Sequence, residues 1–543
     1  MAKKFTSFIM ACMLAIATLG MFACGGKPSD SDKFVVMYYP GGYGSDWLEE
    51  FVIEFIAEEK YDGDKTKVSA SDYKLDPESD ISTFINSKSR CPDLIIHEGI
   101  NTKYITDGWV VDLTDVYNTE VQTSSGKKTI AEYVMPESKM MFTMSKSLIG
   151  KNDIGMWAIP MTAKPLSIAY NETLLKKIVH TTSGNAGDCV KDGYWFKAPT
   201  TFEEMMTCFA DINAQKTVEV GGKSQPVYAF GATFVDSGTI WFESLIYTWW
   251  AQYQGLDDAN AGLDYGSFYD FFNWDSAEKY KQEGIVKSLE SVQQILYSGS
   301  RDDKENFANL YLNPNSVGLK QYQAAFAQGE IVFCLTGDFF AKENKTLLDA
   351  NSNKVDAKLM RIPSYNAEHS KQYTFLNTTS CMYIPTKGKH QDLAKKFLTF
   401  INDEQHLIRF TELTGGIRPF GTNNEADKAT IKAKYLEAKE WGNFEKSVFD
   451  LYFDCEDVIL AFPRTYKKWG ADKEPSIIYT ARGVKQLPIN IDYMTIFGRM
   501  KTKTIEDIIL TDSESLYNKA VEFYDREANI YGLEPYMNIN LYS

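Results

Sequence analysis

Hydrophobic positions in this chain fall into short runs divided by glycine, proline and polar breaks, and the spacing changes from run to run. Phe34-Val35-Val36-Met37-Tyr38-Tyr39 is β-branched and aromatic throughout, the pattern of a buried strand. Pro40-Gly41-Gly42-Tyr43-Gly44 breaks it, and Ser45 or Asp46 can cap a helix beginning near Trp47. Within that helix Leu48, Phe51, Val52, Phe55 and Ile56 recur at helical spacing and leave a glutamate-rich outer face. Strand, glycine turn and helix form the first piece of an α/β unit.

The alternation continues downstream. Segments 92–97, 157–160, 166–170, 227–234, 331–335, 359–363 and 380–385 read as strands. A helix follows from Asn171, and Thr201 with Glu204 makes a capping box that opens another, with Phe202, Met205, Met206, Phe209 and Ile212 as its apolar stripe. Two more helices fit before Gly415-Gly416, one lined by Leu393, Ala394, Phe397, Leu398 and Ile401, the other by Leu407, Phe410 and Leu413. There is no repeat. Strands alternating with helices over this length predict α/β lobes rather than a β-sandwich or a helical solenoid.

The N-terminus carries a different signal. Lys3 and Lys4 precede an apolar run over 8–22, which ends at Ala23-Cys24. A basic start, an apolar stretch and a small residue at the cut describe an export signal. Met21-Phe22-Ala23-Cys24 resembles a bacterial lipobox, so 1–23 is expected to be a lipoprotein signal peptide, with Cys24 carrying the lipid. Residues 24–32 then form a flexible tether. A plain secretory signal or an uncleaved anchor is the alternative. No later run of 18 or more apolar residues occurs, so nothing else is expected to span a membrane. The chain is thus placed on the extracytoplasmic face of the cell membrane.

Charge and composition narrow the chemistry. With 57 basic and 73 acidic residues the net charge is −16, a field that repels phosphate backbones and argues against nucleic acid. Of eight cysteines, Cys12 leaves with the signal and Cys24 is lipidated. Cys91, Cys189, Cys208, Cys334, Cys381 and Cys455 are scattered without a C-x-x-C, and the five histidines form no H-x-x-x-H. Neither a metal nor another cofactor is expected, and disulfide pairing stays open. Gly41-Gly42-Tyr43-Gly44 lacks the spacing of a nucleotide loop. No G-x-S-x-G occurs, and Asp257-Asp258 and Asp302-Asp303 read as solvated pairs, so no enzyme is expected. Aromatic residues make up 14% of the chain, which suits sugars and interfaces as well as a large core.

Several segments stand in a shared order: Ile159-Pro160, Leu166-Ser167-Ile168-Ala169-Tyr170-Asn171, Pro199-Thr200-Thr201-Phe202-Glu203-Glu204, and Phe326-Ala327-Gln328-Gly329-Glu330-Ile331-Val332-Phe333. Gly337-Asp338-Phe339, Tyr383-Ile384-Pro385, Gly415-Gly416 and Pro419 follow. Over residues 33–420 this set resembles the extracellular solute-binding proteins of ABC importers, in the carbohydrate-binding family that includes maltose-binding protein. The resemblance implies a two-lobed periplasmic-binding-protein-like fold of type II, with a hinge and a ligand cleft. Residues 33–165 plus 369–422 would form the first lobe and 166–368 plus 423–543 the second, with 166–170 as one hinge strand. Inserts are expected near 172–198, 252–310 and 440–490. A monomer would capture a small solute, an oligosaccharide above all, by hinge closure and deliver it to a membrane permease. A non-sugar cargo such as a peptide or polyamine is the alternative, as is a helical glycan-capture surface lipoprotein.

The same resemblance implies a set of ligand contacts. A sugar needs a flat ring for its C–H face, and carboxylates, amides or arginine for its hydroxyls. Tyr43 and Asp46 follow the first strand, and His97 and Glu98 follow the next. Lys164 precedes the hinge strand, Asp236 and Trp241 belong to the second lobe, and Asp338 and Phe339 end a later strand. Tyr493 or Phe497 would supply a late aromatic. Lys164 stands where maltose-binding protein has glutamate, which disfavours maltodextrin, and Phe339 (or Phe340) stands in for the usual tryptophan. Other readings remain for several: Trp241 as core, Glu98 and Asp338 as helix N-caps, Lys164 as a solvated hinge residue.

Overall fold

A computed structural model describes residues 32–77, 81–140, 142–145, 154–235, 239–256, 265–271, 277–297, 307, 309–378, 380–460, 497–509, 513–515 and 517–518. The leader with Cys24, and the candidates Asp236 and Tyr493, lie outside the described residues. In chain order the principal elements are β1 (Phe34–Tyr38), α1 (Asp46–Tyr61), β2 (Tyr73–Pro77), β3 (Leu94–Glu98), β4 (Ile159–Pro160) and β5 (Lys164–Asn171). They continue with α2 (Phe202–Gln215), β6 (Tyr228–Gly231), α3 (Thr239–Gln254), β7 (Ile331–Gly337), β8 (Ala357–Met360) and β9 (Tyr373–Asn377). Then come β10 (Ser380–Tyr383), α4 (Gln391–Phe400), α5 (Glu404–Thr414) and β11 (Asp457–Leu460).

Two mixed sheets organise these elements. The first has the order β2-β1-β3-β10-β4, with β1 parallel to β2 and β3, and β10 antiparallel to β3 and β4. The second runs β6-β7-β5-β9-β11. Its centre is β5, which pairs antiparallel with β7 along one side and with β9 and then β8 along the other. The sheets are joined where 161–163 lead from β4 into β5, and again where the chain passes from β9 to β10. At that second crossing Asn377 pairs with Lys164 and Leu376 with Pro165, so the two connecting segments run side by side. The parallel strand β11 then adds the later chain to the second sheet beside β9.

The sequence pattern explains the packing. All five stripe residues of α1 are buried, and Phe55 and Trp47 meet Phe397 of α4 and Phe410 of α5 at ring distances of 5.2 and 5.0 Å. Ser45 occupies the N-cap position but its side chain makes no capping bond, and Asp46 is already the first helical residue. At α2 the expected capping box forms in full, with Thr201 and Glu204 bonding reciprocally. All seven residues of β7 are buried, as a central strand covered on both faces requires. The six described cysteines outside the leader are free thiols, and all but Cys91 are buried.

One buried carboxylate ties segment 172–198 down. Asp211 on α2 is fully buried and accepts from the backbone amides of Thr181 and Thr182, from His180 Nδ1 and from Trp195 Nε1, at 2.8–2.9 Å. A buried acceptor that loses one of its two oxygens leaves donors stranded. Asp211→Asn is therefore expected to lower stability by about 2 kcal/mol, read as a lower urea midpoint with an unchanged slope.

Candidate ligand site

The site is built from loops that leave both sheets. After β1 the chain turns through Gly41 and Gly42 and places Tyr43 inward, only 3% exposed. Its phenol donates to both oxygens of Asp338, at 2.8 and 2.9 Å, immediately after β7 of the other sheet. Two glycines permit this approach. A Cβ on Gly416 would lie 2.5 Å from the Tyr43 ring, and one on Gly42 would lie 2.5 Å from Cβ of Phe339. Tyr43 and Phe339 meet edge to face at 6.5 Å, and Trp241, in the first turn of α3, lies 6.0 Å beyond Phe339.

A second polar pair crosses next to the first. Lys164, the first residue of β5, is 8% exposed and forms an ion pair with Glu98, the last residue of β3. Its ammonium also stands 5.7 Å above the Tyr43 ring. Lys164 is therefore a buried, ion-paired residue and not a solvated side chain. Glu98 and Asp338 end strands, and neither caps a helix.

Burial dominates the electrostatics. It pushes the Asp338 carboxyl up to about 7, although the Tyr43 hydroxyl, the Lys164 charge and the amides of Ile417 and Phe339 all pull it down. Burial, and then the Asp338 charge, hold the Tyr43 phenol well above its usual range, so it is a donor at any neutral pH. Thr162, fully buried, lies beside the same phenol.

The remaining candidates sit at the margin or outside. His97 accompanies Glu98 at the end of β3, its Nδ1 3.1 Å from the carbonyl of Gly99. Asp46 is exposed and reaches Lys342 at 3.5 Å. The structure thus gathers Tyr43, Glu98, Lys164, Asp338, Phe339 and Trp241 in one place. Phe497 does not join them; it stacks on Phe234 at 5.0 Å. Sequence reasoning passed over Tyr39, which ends the first strand run, is 46% exposed and meets the His97 ring at 6.5 Å. Its place just before the glycine turn was the available signal. Among the described residues one group of metal-ligating types comes together, Asp188, Cys189 and Glu204. Asp188 is engaged by Lys197 and Glu204 by the α2 capping box, so these residues have structural partners already.

No protein-family model matches the sequence, and no curated protein matches it either. Solved structures do match. A solute-binding protein of an ABC transporter from Thermotoga lettingae, bound with α-D-tagatose, superposes with a TM-score of 0.52 at 13% identity, over 92% of this chain and 100% of its own. Maltose-bound MalE3 of T. maritima gives 0.54 at 13% identity, over 90% and 99%. The GacH receptor of Streptomyces glaucescens, solved unliganded and with acarbose, gives 0.54 at 13% identity, over 91% and 99%. The fold is that of the ABC-transporter solute-binding proteins. Tyr43, Lys164 and Asp338 converge beside the 161–163 link that joins the two sheets.

Proposed function

We propose that this chain is the extracytoplasmic solute-binding component of an ABC importer and that it captures a small polyhydroxylated solute, an oligosaccharide above all. The observation that carries this is the convergence of three aromatic rings with two carboxylates and an ammonium, contributed by both sheets of a solute-binding fold. Rings offer apolar faces to sugar C–H groups, and the charged groups match hydroxyls in both donor and acceptor roles. Neighbours of the same fold were solved with tagatose, maltose and acarbose. Lys164 beside the carboxylates disfavours a cationic polyamine.

The ligand contacts in this reading are Tyr43, Asp46, His97, Glu98, Lys164, Trp241, Asp338 and Phe339, with Asp236 and Tyr493 added from outside the described residues. The lobes in this reading are 33–165 plus 369–422 and 166–368 plus 423–543, except that Lys164, Pro165 and 369–377 are counted with the second lobe because β5 and β9 belong to the second sheet. Solute bound between them favours the closed form by its differential affinity, and closure is what a permease reads. No bond is made or broken. Cys24 carries the lipid that keeps the carrier near its permease, and Cys24→Ser is expected to abolish fatty-acid incorporation.

A thermal-shift screen over mono- and oligosaccharides, peptides and polyamines tests the cargo. A true ligand at about 100 times its Kd adds about 2.7 kcal/mol of stability. A shift with peptides or polyamines alone would overturn the sugar reading.

A further inference from the structure

The side chains assigned to the solute already satisfy one another. Tyr43 belongs to the loop after β1 and Glu98 to β3, both in the first sheet, whereas Lys164 and Asp338 belong to β5 and β7 of the second. Both polar pairs therefore run from one sheet to the other; Tyr43, Asp338 and Lys164 are buried and Glu98 is half-buried. The rings close around them: Phe339 seats its Cβ against Gly42, and the Tyr43 ring lies on Gly416. No solute is needed to complete these contacts.

We infer that the Tyr43–Asp338 and Lys164–Glu98 pairs are an inter-lobe latch that holds the empty clamp shut, and that a solute enters by taking the place of the Tyr43 hydroxyl on Asp338. This rests on the two-lobed solute-binding reading above. A sugar hydroxyl is the same kind of donor as the phenol, an O–H directed at a carboxylate, so it can replace the phenol without leaving Asp338 stranded. Lys164 and Glu98 cancel each other's charge, so the latch favours a neutral replacement over an ionic one. Losing one partner of a buried hydrogen bond is enough to change the open-to-closed ratio by about tenfold. The latch also sets a threshold, because part of a solute's affinity is spent in displacing it.

The test needs no ligand. Small-angle scattering on the full soluble chain, started after Cys24, reads the compactness of the empty protein. At about pH 5 wild type is expected to be compact, and Tyr43→Phe, Lys164→Met and Gly42→Ala are each expected to raise the radius of gyration. Gly42→Ala acts by a clash with Phe339 that exists only in the closed form, so it supplies the open reference. If Tyr43→Phe and Lys164→Met stay as compact as wild type while Gly42→Ala opens, closure is owed to packing and the latch is wrong. A wild type as expanded as Gly42→Ala also overturns it. Circular dichroism confirms folding, and Glu98→Gln replaces Lys164→Met should that variant not fold. A screen that finds no sugar would sink the cargo reading and leave these scattering results standing.

Discussion

Replacing Arg418 by methionine is expected to cost about 3 kcal/mol or more, seen as a fall in the urea midpoint. Arg418 is 2% exposed and bonds to no carboxylate among the described residues. Its guanidinium instead donates to the carbonyls of Met161 and Ile401 and to Oδ1 of Asn402. Burial lowers its pKa to about 9, and the group still carries its charge at neutral pH. Methionine fills a similar volume and removes the cost of burying a charge, which offsets part of the loss. Three acceptors are nevertheless left dry, at about 1–3 kcal/mol each. Lysine should recover only a fraction, because a single ammonium cannot span the positions that a planar fork reaches.

The position of Arg418 gives this variant a second consequence. Met161 opens the 161–163 link that carries the chain from one sheet to the other, and Ala163 N–H bonds to Ile417, the neighbour of Arg418. Lys164 follows directly. The guanidinium thus clamps the backbone from which Lys164 reaches Glu98. Arg418→Met is expected to weaken solute binding even in conditions where the protein stays folded, whereas Asp211→Asn, whose partners all lie in α2 and segment 172–198, is not.

What could be seen in the sequence was local, and what could not was long-range. The β1 run, the α1 stripe and the Thr201–Glu204 box are set by neighbours a few residues apart, and each appears where its pattern places it. Strand ends shifted by one to three residues, as at β6 and β8, because pairing partners and not propensity decide where a ladder stops. The site candidates were found one at a time, through order along the chain. Their partnerships were not legible: Tyr43 and Asp338 stand 295 positions apart, and Lys164 and Glu98 stand 66 apart. Gly42 and Gly416 read as loop residues, yet the reason for glycine at both is the ring that lies against each one. Arg418 gave no signal at all, since a lone arginine beside Pro419 reads as an exposed charge.

Raising the pH from about 4 to about 7 is expected to open the empty protein, by about tenfold in the open-to-closed ratio per pH unit. Asp338 has an ordinary value of 3.8 and stands at about 7 when closed, so the closed form holds its proton across that window while a solvated carboxyl does not. The sign follows. Below pH 4 both forms are protonated and the closed form suffers no penalty. As pH rises the open form loses its proton first and gains, until above about 7 the full penalty, of order 4 kcal/mol, weighs on closure. The groups that face Asp338 are the Tyr43 phenol, the Lys164 ammonium and the Ile417 and Phe339 amides, with Glu98 beyond Lys164. Tyr43 keeps its proton throughout, and Lys164 pulls against the burial penalty without cancelling it. Asp338→Asn keeps the shape and an acceptor for Tyr43 but cannot ionise. Its radius of gyration should therefore not change between pH 5 and 8, while that of wild type rises. A wild type that is flat over the same range, or a variant that tracks it, would show that Asp338 does not control closure.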